Sequence, residues 1–221
     1  MEKLDLAELQ KRKILYHNLM QEVRWRLDSI GLIEGQLGKS LNTLQHFIAN
    51  ETYLLQLRMI FESIALGCMI VHGDIPITKT GKMTKFYQAD ILLKNLTDAH
   101  PEFFPTPVNF FPDPMWLGAM TTTPRKPVSY LTKSETIRLY GKFGEYLHRG
   151  KMSSFVARQH DALKPLGKEI GDTWRNCVAL LGVHKIALKD SPLHLVCHLY
   201  PTVAADFYHP DPAFWNISQS R

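Results

Sequence analysis

The run from Tyr53 to His72, Y-L-L-Q-L-R-M-I-F-E-S-I-A-L-G-C-M-I-V-H, constrains this chain more than any other stretch. As a helix it makes about five and a half turns. Leu54, Leu57, Phe61, Ile64, Cys68 and Val71 recur at three- and four-residue steps, and most positions between them are apolar as well. A helix that is hydrophobic nearly all round belongs in the middle of a bundle. One stripe departs from the pattern: Arg58, Glu62, Met69 and His72 fall close to one face, with Arg58 and Glu62 spaced to pair. The run is long enough to span a bilayer. Two charges well inside it, and the amphipathic remainder of the chain, favour a buried helix of a soluble protein with no membrane partner.

The flanking segments read as helices that pack on this one. Residues 3–30 carry a broad apolar side (Leu9, Leu19, Val23, Trp25, Leu27, Ile30), and Gly31, Gly35 and Gly38 are expected to end or bend the helix. Residues 39–49 resume helical spacing, and Asn50 or Thr52 is placed to cap a separate central helix. Residues 83–98 form another helix, stopped at His100-Pro101. From Pro101 to Pro127 prolines are dense, and Pro105, Pro107, Pro112 and Pro114 cannot lie inside a helix. That segment is expected to wrap the bundle as a loop anchored by Phe103, Phe104, Phe110, Phe111 and Trp116.

Thr132-Lys-Ser-Glu135 is a capping box opening a helix from Lys133 to about His148. Gly141 and Gly144 share a face of it beside Tyr140, so a neighbouring helix can come close. The last helical region runs from Ser153 or Ser154 to Leu181, with Pro165 marking a kink or a fresh start. The period then changes from 3.6 to 2. H-K-I-A-L, L-H-L-V-C-H-L-Y and V-A-A-D-F-Y alternate apolar with polar residues, with turns between, which is the pattern of an antiparallel meander. The expected architecture is a mainly α (α+β) fold. It is a five- to six-helix bundle over 1–182, with a wrapping loop at 101–127 and a small meander over 183–221 packed on the bundle.

Composition narrows the chemistry. The net charge of +5 is mild and scattered, so RNA is admissible as a partner without being required. The three cysteines, Cys68, Cys177 and Cys197, form no CxxC pair, which argues against a disulfide framework or a zinc ribbon. The first ten residues lack an apolar signal region, and a cytosolic location is expected. His194 and His198 resemble half of a zinc site, but on a strand they stand roughly 13 Å apart. Convergence of His184, His194, Asp206 and His209 is the remaining metal alternative; no metal and no cofactor are expected. Gly73 and Gly81-Lys82 miss the phosphate-loop spacing, and Met83 stands where a magnesium-binding hydroxyl belongs.

The constellation left is the Arg58/Glu62/His72 helix against Leu139–Gly150. There Arg58, Glu62 and His148 would meet in a partly buried pocket beside Arg149. A histidine titrating near neutrality can serve as general acid or base, and an arginine beside it can stabilise charge on a phosphorus centre. The competing reading is an ion pair that fixes helix register, with His148 favoured by the helix end.

These residues also carry a resemblance. L-x-L-R-x-I-F-E-x-I-A in the central run, followed by a helix ending G-x-Y-L-H-R-G, resembles the HEPN-like superfamily of small helical bundles from prokaryotic toxin–antitoxin and abortive-infection systems. Many members are metal-independent endoribonucleases that act as dimers. Their active motif places an arginine and a polar neighbour shortly before the histidine. Here Lys142 and Phe143 stand in that place, and the nearest preceding arginine is Arg138. The resemblance therefore implies a catalytically degenerate binding module linked to defence or RNA metabolism. Its partner would be RNA, a second copy or another protein, and His72, Lys142 and Tyr146 would line the pocket. The alternative it implies is an endoribonuclease toxin using His148 with Arg58 or Arg149.

Overall fold

A computed structural model of the chain describes residues 6–37, 43–73, 88–100, 102–112, 120–124, 129–147, 164–189 and 191–208. The elements over these residues are helices α1 (Leu6–Leu37), α2 (Thr43–Val71), α3 (Ala89–Ala99), α4 (Lys133–Leu147) and α5 (Lys164–Leu181). The strands are β1 (Thr106–Pro112), β2 (Met120–Pro124), β3 (Val183–Ala187), β4 (His194–His198) and β5 (Ala204–Tyr208). The helices bundle around α2, and the sheet packs on them, so the α+β layout read from the sequence holds.

The central helix is longer than expected. α2 runs unbroken through Asn50 and Thr52, and the Thr52 hydroxyl donates to the Ile48 carbonyl at 2.9 Å instead of capping a new start. A threonine that bonds back one turn is accommodated within a helix, so a cap-type residue alone does not mark a boundary. Leu54, Leu57, Phe61, Ile64, Cys68 and Val71 are all buried, as the spacing required. The opposite stripe is not covered: Leu44, Ile48, Leu55 and Leu66 are exposed. By length and composition Leu44–Val71 could also cross a membrane, and 56% of its most apolar window is buried within the fold.

α1 likewise passes through Gly31 and Gly35 to Leu37. Gly31 faces Trp174: a methyl group there would stand 3.4 Å from the ring, close to ordinary contact, and the indole N–H donates to the Leu27 carbonyl at 3.1 Å. Gly67 is tighter, since a Cβ there would lie 2.9 Å from the Tyr16 ring at the α1–α2 contact.

The segment expected to be a wrapping loop holds two strands. β1 pairs antiparallel with β2 and, through Thr106 and Pro107, with β3, so the order across the sheet is β2-β1-β3-β4-β5. Proline signals masked this, because a proline is tolerated at strand ends and wherever its missing N–H faces no partner. Phe103 is buried as anticipated and Phe104 packs partly buried against the core; the side chains of Phe110, Phe111 and Trp116 lie outside the described residues. The β3–β4–β5 meander forms where the alternation placed it. His184, Cys197 and Ala205 stand in one cross-strand row and Ile186, Leu195 and Phe207 in the next. Every other residue of β3 is therefore turned into the core.

α3 ends at His100, whose N–H caps the Leu96 carbonyl. The expected start of that helix at 83–87 and the glycine–lysine connector before it lie outside the described residues, as do 148–163 ahead of α5. The capping box is present: Thr132 N–H donates to Glu135 at 3.0 Å and Glu135 N–H donates back to the Thr132 hydroxyl at 3.3 Å.

Candidate functional site

The expected meeting of α2 with α4 occurs, and its centre is Tyr140. Arg58 and Glu62 stand one turn apart on α2, with Arg58 Nε 3.6 Å from Glu62 Oε1. From α4, the Tyr140 hydroxyl accepts from Arg58 Nη2 at 2.9 Å and donates to Glu62 Oε1 at 3.0 Å. The Arg58 guanidinium also lies over the Tyr140 ring, 4.1 Å from its centroid. Cation–π and charge-assisted contacts thus act on the same arginine.

Gly144, one turn beyond Tyr140, makes the space. A methyl group at 144 would overlap Arg58 Nη1, whereas one at Gly141 would meet nothing within 4 Å. Of the two glycines expected to narrow this helix, only Gly144 does so here, and what it admits is a side chain. Burial, and then the bonded carboxylate of Glu62, hold the Tyr140 phenol above its ordinary range, with Arg58 opposing. The side chains of Arg58 and Glu62 keep 19% and 29% of their exposure, so the triad is partly buried rather than dry.

The other residues expected here are placed as follows. His148 and Arg149 lie just past the end of α4, outside the described residues. Lys142 pairs with Glu169 of α5 at 2.6 Å, away from the triad, and Arg138 stands 3.6 Å from the same carboxylate. Tyr146 packs partly buried against the core. His72 is fully buried: Nδ1 lies 2.9 Å from the Cys68 carbonyl oxygen and Nε2 2.8 Å from that of Ala187. It fastens the end of α2 to β3 and faces no cleft through these atoms.

A second buried pair was not legible in the sequence. Tyr16 of α1 and His184 of β3 meet with the hydroxyl 2.6 Å from Nε2, while Nδ1 stands 2.9 Å from the Leu181 carbonyl oxygen. A carbonyl can only accept, so Nδ1 carries the proton and Tyr16 donates to Nε2. Burial pushes the His184 imidazole down to about 4, which agrees with a neutral ring. The metal alternative loses His184 to this pair, and His209 lies outside the described residues. His194 and His198 occupy the two ends of β4, and Asp206 pairs with Lys13. Among the described residues no group of histidine, cysteine, aspartate or glutamate side chains is arranged to hold a metal ion. The three cysteines are buried thiols, and burial raises the pKa of each.

Two clefts have their walls in the described residues, and neither is lined by Arg58 or Glu62. One, of about 340 Å³, lies between α4 and α5 along Arg138, Glu169 and Asp172. The other, of about 460 Å³, lies where the approach to β1, the start of α4 and the sheet meet. Comparison with protein-family models, with characterised proteins and with solved structures finds no match to this chain.

Proposed function

We propose that the chain is a HEPN-like helical interaction module, catalytically degenerate, that works in prokaryotic defence or RNA metabolism by binding RNA, a second copy or another protein. The observation that carries this reading is the closure of the Arg58–Glu62–Tyr140 triad. The arginine that would stabilise a scissile phosphate is bonded to Tyr140, paired with Glu62 and stacked on an aromatic ring. Freeing it for a substrate would break all three contacts. The exposed apolar residues on one side of α2, Leu44, Ile48, Leu55 and Leu66, interrupted by Glu51 and Glu62, support an interaction role.

A nuclease is the second reading, favoured by the partial exposure of the triad and by the end of α4 one residue before His148. Incubating the purified chain with total RNA in the presence of a chelator separates the two. The module reading expects intact RNA with the wild-type chain. Fragments that disappear in His148→Ala would replace it with the nuclease.

A further inference from the structure

The cleft beside the sheet has the composition of a binding site, and it is independent of the α2–α4 triad. Its volume of about 460 Å³ falls in the range of small-molecule sites. Lys185 and Ala187 lie on the face of β3 opposite His184 and Ile186. Their cross-strand neighbours on that face are Thr106 of β1 and Val196 and His194 of β4. Ala187 leaves the middle of this floor low. The walls come from Glu102–Pro105 on one side and Tyr130–Lys133 on the other.

Two features point to the occupant. Lys133 and Lys185 both border the cleft, with Glu102 as the one carboxylate in its lining, and the Lys133 ammonium lies over the Phe103 ring, 5.6 Å from its centroid. Two cations against one anion leave the concavity with a net positive charge that an anionic ligand would neutralise. Tyr130, 36% exposed, and Phe104 border the same space and offer flat apolar surface. We propose that this cleft binds a small phosphate-bearing ligand with a planar ring, the phosphate on Lys133 and Lys185 and the ring against Tyr130. Glu102 at the rim disfavours a ligand with negative charge at both ends.

The test is calorimetric titration of the full chain with AMP and, separately, with pyrophosphate. Variants are Lys133→Ala/Lys185→Ala and Tyr130→Ala. All three side chains lie at the surface of the cleft, so unliganded melting is expected to stay at the wild-type value. AMP should bind saturably, and the double lysine variant should weaken it by about tenfold or more, the effect of losing a charge-assisted contact. Tyr130→Ala should weaken AMP and leave pyrophosphate unchanged. Absence of saturable binding of both probes at millimolar concentration, or equal affinity in the double lysine variant, would overturn the proposal.

Discussion

Arg58 and Gly144 share one volume: the guanidinium occupies the space that a side chain at position 144 would fill. The α2–α4 contact therefore depends on the absence of a methyl group as much as on the presence of a charge. Gly144→Ala should expel Arg58 from Tyr140 at a cost of about 1–2 kcal/mol, the size of a lost charged hydrogen bond in a partly screened site, offset by up to about 1 kcal/mol of helix propensity. Denaturant melts should show the cost in the wild-type background and its loss in Arg58→Ala, since the two changes remove the same contacts. Equal costs in both backgrounds would disprove the shared volume.

The Tyr16–His184 pair predicts how stability follows pH. His184 is held near 4 in the fold against 6.5 for the free side chain, so between these values the unfolded chain binds the extra proton. Stability from this group is complete above about 6.5 and falls as the pH drops toward 4. Replacing His184 by Gln should flatten that segment of the stability curve. Tyr16→Phe should cost about 1–3 kcal/mol at neutral pH by leaving Nε2 without its donor. An unchanged acid slope in His184→Gln would mean that other groups set it.

Gly67→Ala tests a competition of magnitudes. Alanine in place of glycine stabilises a helix by about 1 kcal/mol. Here the new methyl would lie 2.9 Å from the ring of Tyr16, which is fully buried and bonded to His184. Overpacking of that kind costs about 1–3 kcal/mol, so the net change should be destabilising. A rise in melting temperature would show that α1 moves away at little cost.

Thr132→Ala removes the hydroxyl half of the capping box at the start of α4 and leaves the backbone N–H of residue 132 bonded to Glu135. A loss of about 1 kcal/mol is expected at neutral pH. The Glu135 carboxyl lies below its ordinary range, chiefly because of its bonds to Thr132. Its contribution is present above the free carboxylate pKa and lost as pH falls through the depressed one, so the gap between wild type and variant should narrow in acid. Parallel melts at pH 7 and pH 3 check this.

The thiols give a rapid test of the core. Cys68, Cys177 and Cys197 are buried and burial raises the pKa of each. A thiol reagent at pH 8 should label none of the three in the native chain and all of them in denaturant. Fast labelling of any one would place it at the surface.

Periodicity revealed what is local. The core face of α2, the capping box of α4 and the strands of the meander each announce themselves within a few residues; burial alternates along β3, while β4 is covered on both faces at Leu195, Val196 and Cys197. Signals tied to single residues misled. Glycine at 31 and 35 suggested an end to α1, which instead runs on to Leu37. The prolines of 101–127 concealed β1 and β2. Of the site, the pairing of Arg58 with Glu62 follows from spacing, and Gly144 carried a visible hint of close approach. Tyr140 as the bridging group needed the distance between two helices, which spacing within one helix does not contain. The Tyr16–His184 pair joins residues 168 apart, and no local pattern reports such a partner.

The bonds between α1 and the meander also set an order of events in synthesis. Lys13 pairs with Asp206, Tyr16 with His184, His17 with the Val203 carbonyl and Asp28 with Tyr200. α1 thus leaves the ribosome well before the segments that carry its polar partners. Until the meander is made, α1 waits with the Tyr16 side of its surface unclosed, and the loop that joins Tyr16 to His184 spans 168 residues. A cell making this protein quickly would hold many copies in that half-finished form, where chaperone capture and aggregation compete.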